Sequence, residues 1–190
     1  YIKELDFYIF EEVLKTLEKW RKKNLRPIII STNFSGRHFE GNVDEFIQRI
    51  AATLAKYEVS PENIELEVTE SVCVENFEGL LYSLKELHAM GFRVAIDDFG
   101  TGYSSLSMLA DMPADVVKID KSFINKNMTD QKQKLLYEIG NMVRILNKDI
   151  VVEGIETEEQ EHYLKDGGFS CGQGYLCNKP IPLEEFEELY

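Results

Sequence analysis

A chain of 190 residues with 34 acidic against 21 basic side chains has a formal net charge of −13, which argues against broad electrostatic capture of nucleic acid or of an anionic membrane surface. Its 44% hydrophobic and 29% charged residues fit a soluble globular protein rather than a disordered or fibrous one. The length allows one large core and does not demand a second domain, so residues 1–190 are read as one domain.

The first segment, "ELDFYIFEEVLKTLEKWRKK" at 4–23, has the period of an amphipathic helix. "PIIISTN" (27–33) follows as a strand, and "DEFIQRIAATLAKY" (44–57) as a helix with Phe46, Ile47, Ile50 and Leu54 on one stripe. The strand "NIELEVTE" (63–70) precedes a helix at 77–90 carrying Phe77, Leu80, Leu81, Leu84 and Leu87, which Gly91 suits as a C-terminal cap. Strands "RVAIDD" (93–98) and "DVVKID" (115–120), a helix over about 131–147, the strand "DIVVEG" (149–154) and a short helix at 158–166 come next. The weakest strand, "FSCGQGY" (169–175), and a helix in "LEEFEELY" close the chain, the acidic tail reading as a solvated helix face. Such alternation is that of βα units feeding a parallel sheet, either a barrel or a doubly wound sheet.

Cys73, Cys171 and Cys177 have neither zinc spacing nor a paired framework, so reduced thiols in a cytoplasmic setting are expected. No signal-peptide pattern or membrane-spanning apolar run is present, and no membrane contact is expected. His38, His88 and His162 share no spacing and read as structural or surface residues.

Polar residues end nearly every apolar run: Asn33, Glu67, Asp97 with Asp98, Lys118 with Asp120, Glu153 and Gln173. In parallel α/β folds the C-terminal strand ends form one face, so residues far apart in sequence meet there. Several carboxylates on one face repel unless a cation joins them, and an all-oxygen set favours Mg²⁺ or Mn²⁺ over zinc. Neighbouring strand residues point to opposite sides. Asp97 and Asp98 therefore need a backbone turn, which Gly100 and Gly102 would permit, before each could serve one ion of a two-metal pair.

Blander readings stand beside this one. The aspartates could cap the turn in "DDFGTG", Glu67 and Glu70 could be a solvated pair at a strand end, and Asn33 could be an ordinary turn residue. Lys118 and Glu153 fit less easily, because a charge within a buried strand needs a partner.

In their order, "STNFSGRHF", "IELEVTES", "AIDDFGTGYSSL", "VVKIDKSFI", "VVEGIETEEQ" and "GQGYLCNKPIP" resemble the EAL domain family of cyclic di-GMP phosphodiesterases over almost the whole chain. The resemblance implies a TIM-like (βα) barrel that hydrolyses cyclic di-GMP to linear pGpG with two Mg²⁺ or Mn²⁺ ions. It implies that Asn33, Glu67 and Asp97 bind the first metal with Glu153 beside them, and that Asp98 helps hold the second. Lys118 would orient the attacking water, Gln173 would complete the site, and Glu70 would brace the "DFGTGYSSL" loop. A homodimer through the loop and helices after residue 98 is also implied, with no polymeric nucleic acid as partner.

The sequence departs from the family pattern at Val152 and Ser170, and the Glu-Ala-Leu strand is not found. The barrel is therefore expected to be incomplete at its N-terminal end. The alternative expectation is a catalytically impaired module that binds cyclic di-GMP or a protein partner without turnover.

Overall fold

The computed structural model describes residues 1–102, 106–124 and 129–190, apart from the side chains of residues 73–75. Cys73, Tyr103, Ser104 and Ser105 therefore fall outside what is described, while Cys171 and Cys177 are free, exposed thiols.

In chain order the elements are α1 (Ile2–Lys22), β1 (Ile30–Asn33), α2 (Val43–Leu54), β2 (Ile64–Thr69), α3 (Glu70–Glu75), α4 (Phe77–Ala89) and β3 (Arg93–Phe99). They continue as α5 (Leu106–Asp111), β4 (Val116–Ile119), α6 (Asp130–Ile145), β5 (Asp149–Glu153), α7 (Glu158–Asp166), β6 (Gly172–Gln173) and α8 (Leu183–Leu189). All strand pairs are parallel, in the order β1-β2-β3-β4-β5-β6. Sequential order with helical crossovers is what right-handed βα connections produce when each strand is laid beside the last.

Alternation along the strands sorts the two faces. Leu66, Val68, Val94, Ile96 and Val117 pack with Phe10 and Leu14 of α1, Ile50 of α2 and Leu80, Leu84 and Leu87 of α4. Burying aliphatic side chains between helices and one sheet face provides the main driving force. A second cluster joins Ile119, Val152 and Ile155 to Leu136, Leu164 and Phe169.

The residues between them point to the opposite, inner face, which is unusually polar. Glu65 Oε1 accepts from Ser31 Oγ at 3.0 Å, and Arg93 reaches Glu65 at 3.4 Å and Asp149 at 3.2 Å.

Helix α8 follows one edge strand and α1 precedes the other, yet the two helices meet. Trp20 stacks on Phe186 at 5.8 Å, and Glu187 accepts from Trp20 Nε1 at 2.9 Å and from Lys19 Nζ at 2.6 Å. Edge helices can touch only if the sheet between them curls, so the six strands form a parallel half-barrel. The acidic tail is consequently not a wholly solvated face, because Phe186 and Tyr190 dock on Trp20.

Several boundaries differ from expectation: β1 begins at Ile30 and not at Pro27, and α2 ends at Leu54 and not at Tyr57. The final strand shrinks to Gly172–Gln173. Phe169 is drawn into the turn closing α7, its N–H donating to Leu164 O, and Gly172 and Gly174 press against Ile155 so closely that a Cβ at either would lie 2.1 Å from it. Glu70 does not end a strand but begins the short helix α3.

His38 is buried beside Asp6, with Nε2 at 2.9 Å from Asp6 Oδ2. Burial pushes its pKa down, the largest influence, although Asp6 pulls the other way. A histidine kept neutral by folding but free to charge when unfolded supports stability above its unfolded pKa of about 6.5, and that support is lost as pH falls toward the depressed folded value. The denaturant midpoint should drop as pH falls below about 6.5, and His38→Phe should flatten that step. An equally steep step in the variant would assign it to other groups.

Candidate functional site: a lysine hub among carboxylates

On the inner face the strand ends converge as their positions require. Lys118 Nζ, on β4, lies 2.8 Å from Glu153 Oε1, 3.0 Å from Glu67 Oε1 and 3.2 Å from Asp97 Oδ1. These acids come from β5, β2 and β3, so one ammonium ties four strands together. Lys118 is 6% exposed and Glu67 4%. Burial pulls the lysine pKa down as the largest single influence, but the hydrogen bond to Glu153 and the charges of Glu67 and Asp97 outweigh it, and the net direction is up. Lys118 therefore stays a cation at any working pH, and can donate hydrogen bonds but not take up a proton. Burial, with Asp97 nearby, holds Glu67 above the usual carboxylate range despite Lys118.

The adjacent aspartates reach one side through a β-bulge. Ile96 pairs with Val117 and Phe99 with Ile119, so β3 carries one more residue than β4 across that interval. Asp98 takes up the distortion with φ of 54°, in the left-handed region that aspartate tolerates better than most residues. Its N–H donates to Asp97 Oδ1 at 3.0 Å. The turn thus falls on Asp98 and on Gly100, whose φ is 94°, and not on Gly102. Gly102 has a different constraint: a Cβ there would sit 3.0 Å from the Glu70 carboxyl carbon.

As a result Asp97, Asp98 and Glu153 each place a carboxylate oxygen within 4.8 Å of the others. Burial, then the charges of Asp97 and Asp120, push the Asp98 pKa up. Hard oxygen donors this close, only partly neutralised by Lys118, fit a hard divalent cation. Asn33 ends β1 beside Glu67 in register, and Gln173 lies opposite Glu153 on β6. A cavity of about 530 Å³ opens beside Gln173, lined in part by Tyr175, Asn178, Lys179 and Phe186.

Glu70 is 2% exposed, and its Oε2 accepts from the amides of Gly100 at 2.7 Å and Gly102 at 2.9 Å. The reading of Glu67 and Glu70 as a solvated pair is overturned, since both are buried. Glu70→Ala leaves two amides without this acceptor and should cost about 1–3 kcal/mol in denaturation experiments. Glu70→Gln, which keeps an acceptor oxygen, should recover most of the loss; equal loss in both would place the effect on charge.

The fold and these residues define a parallel α/β half-barrel with a hard-oxygen, lysine-centred site at its C-terminal strand ends. The sequence model of the EAL domain matches residues 1–180, and the chain belongs to the EAL domain family. Its sheet and helices are therefore part of the TIM-like barrel of EAL domains.

The chain is 37% identical over 182 residues to the signaling protein YkoW of Bacillus subtilis, covering 95% of this chain and 22% of that protein. It is 35% identical over 187 residues to the bifunctional diguanylate cyclase/cyclic di-GMP phosphodiesterase MucR of Pseudomonas aeruginosa, covering 97% and 27%. A solved structure of the MucR phosphodiesterase with c-di-GMP superposes with a TM-score of 0.88 at 33% identity, covering 97% of this chain and 80% of that one. BlrP1 of Klebsiella pneumoniae, solved with manganese and cyclic di-GMP, gives 0.72 at 26% identity, with 90% and 44% coverage. The chain thus spans about a quarter of the length of these curated relatives.

Proposed function

We propose that this chain hydrolyses cyclic di-GMP to linear pGpG in bacterial second-messenger signalling, with Mg²⁺ or Mn²⁺ in a two-metal site. The observation that carries the proposal is the convergence of Glu67, Asp97 and Glu153 on Lys118, with the Asp98 carboxylate brought alongside by the bulge. A purely structural sheet interior has no need of so costly a set. MucR and BlrP1, solved with the same dinucleotide, support the substrate class.

In this reading Asn33, Glu67, Asp97, Asp98 and Glu153 hold the metals. Divalent cations held by these residues would supply acidification of a bound water and charge neutralisation at the phosphoryl oxygens. Lys118, whose three N–H donors face Glu67, Asp97 and Glu153, would turn one of them from a carboxylate to the attacking water and add positive charge beside the phosphorus. Glu153, paired with Lys118, keeps that ammonium aimed. Gln173 completes the site at the mouth of the neighbouring cavity, where the exposed Tyr175 ring offers a face to a guanine. Attack breaks one phosphodiester bond of the ring and leaves a 5′-phosphate and a 3′-hydroxyl.

A homodimer through the loop and helices after residue 98 belongs to the same reading, supported by exposed Leu106 on α5 and Leu135 and Ile145 on α6. A cytoplasmic location also belongs to it; among the described residues no helix is long and apolar enough to cross a membrane.

The test is chromatographic detection of pGpG from cyclic di-GMP with Mg²⁺ or Mn²⁺ and with chelator. Metal-dependent pGpG formation is expected. Nucleotide binding without product, in the presence of either ion, would overturn catalysis in favour of a binding module.

A further inference from the structure

A charged residue lies in the buried stripe of α1, away from the lysine hub. Asp6 is 7% exposed and shares the i, i+4 spacing of Phe10 and Leu14, where an apolar side chain would pack at no electrostatic cost. Its Oδ2 instead accepts from the Ser35 backbone N–H at 3.0 Å and from His38 Nε2 at 2.9 Å. The His38 ring is enclosed by Phe7 and Phe34, each at 5.5 Å, and Phe46 at 4.7 Å. A carboxylate in such surroundings costs free energy unless what it binds repays it.

What it binds is a turn. Ser35 is the N-cap of the 3₁₀ turn Gly36–Phe39, with Oγ accepting from Arg37 N–H, and His38 lies within that turn. One residue earlier, Phe34 N–H donates to Glu67 O at 2.9 Å and extends the β1-β2 ladder just past Asn33. Asn33 is therefore followed at once by a ladder bond and then by an amide tied to a buried carboxylate. The turn also presses on α3: a Cβ at Gly36 would lie 2.7 Å from Val72 Cγ2. Neither side leaves the segment room to slide.

We infer that Asp6 is a positioning residue for the metal-binding face: by gripping Ser35 N–H and His38 it fixes the turn after β1 and so holds the Asn33 carboxamide beside Glu67. The inference rests on the assignment of Asn33 as a ligand. Partners that orient a metal ligand from outside typically change affinity by about 10–100-fold when removed.

The test uses the full chain, with Mn²⁺ affinity measured by calorimetry and the Asn33 carboxamide signals followed by NMR. Asp6→Ala should weaken Mn²⁺ binding by about tenfold or more and shift the Asn33 signals. Asp6→Asn, whose carbonyl oxygen can still accept from Ser35 N–H, should fall between. Leu164→Ala, in the second hydrophobic cluster, should lower stability yet leave both readouts at wild-type values.

A folded Asp6→Ala protein that binds Mn²⁺ like wild type with unmoved Asn33 signals overturns the inference. Should Asp6→Ala not fold, Asp6→Asn decides by the same two readouts. If the wild-type chain itself holds no Mn²⁺, the metal assignment fails separately. The NMR comparison then decides the positioning role: shifted Asn33 signals in the Asp6 variants support it, and unmoved signals overturn it.

Discussion

Lys118→Met should lower turnover by about 10²–10³-fold and destabilise the metal-free protein while leaving Mn²⁺ able to bind. The ammonium is within hydrogen-bond reach of three carboxylates from three strands, at 2.8, 3.0 and 3.2 Å. Methionine has similar length but no charge, so Glu67, Asp97 and Glu153 would face one another uncompensated. Removing one partner of a buried ion pair costs about 3–5 kcal/mol. The low end is expected here, since the side chains of Asp97 and Glu153 keep 14% and 19% of their exposure and can recruit water. Loss of a preorganised donor aimed at developing charge lowers kcat by about 10²–10³-fold.

The informative readout is the metal response. With the internal cation gone, a divalent ion becomes the remaining way to neutralise the cluster. Mn²⁺ should then raise the denaturation midpoint of Lys118→Met at least as much as that of wild type. Stability unchanged without metal would mean that the hub does not carry the electrostatic load assigned to it. Lys118→Arg is not expected to rescue turnover, because a planar guanidinium cannot present its donors as a compact ammonium does.

Most of this site was legible because strand ends announce themselves. A β-branched run that stops at Glu67, at Lys118 or at Glu153 places its polar residue on the C-terminal face of any parallel sheet, whatever lies between the strands. The end of the chain was less legible. "FSCGQGY" has strand-like residues, but its glycines serve close packing against Ile155, and only Gly172–Gln173 pairs. Helices α3 and α5 are too short for hydrophobic periodicity to register.

Nothing local in the sequence marks the change from strand to helix at Glu70; its burial follows from the two glycine amides it meets across the fold. The sequence points to Gly100 and Gly102 for the left-handed turn, yet half of it falls on Asp98, where bulge geometry imposes it over the usual preference for glycine. Asp6 did leave a trace, a charge inside an apolar helical stripe. Its partners, Ser35 and His38, lie about 30 positions away and could be identified only in the fold.

Asp97→Asn should separate stability from function with opposite signs. The amide is nearly isosteric and retains an oxygen that can accept from Asp98 N–H and from Lys118, so the bulge has no reason to rearrange. What disappears is one negative charge next to Asp98, whose pKa is held up first by burial and then by Asp97. A carboxylate with a raised folded pKa supports stability below its unfolded value and loses that support as pH rises through the folded value. Wherever Asp98 is ionised in the folded protein it bears the repulsion of Asp97, and removing that charge should return part of the lost stability. The metal-free variant should match or exceed wild type in thermal midpoint near neutral pH.

A divalent cation gains from the very charge that folding resists, so the Mn²⁺-induced rise in midpoint should shrink sharply and turnover should fall by about 10²-fold or more. Stabilisation by Mn²⁺ equal to that of wild type would exclude Asp97 from the metal site. A fall in metal-free stability would show that the paired aspartates are held together by something other than the bulge and Lys118.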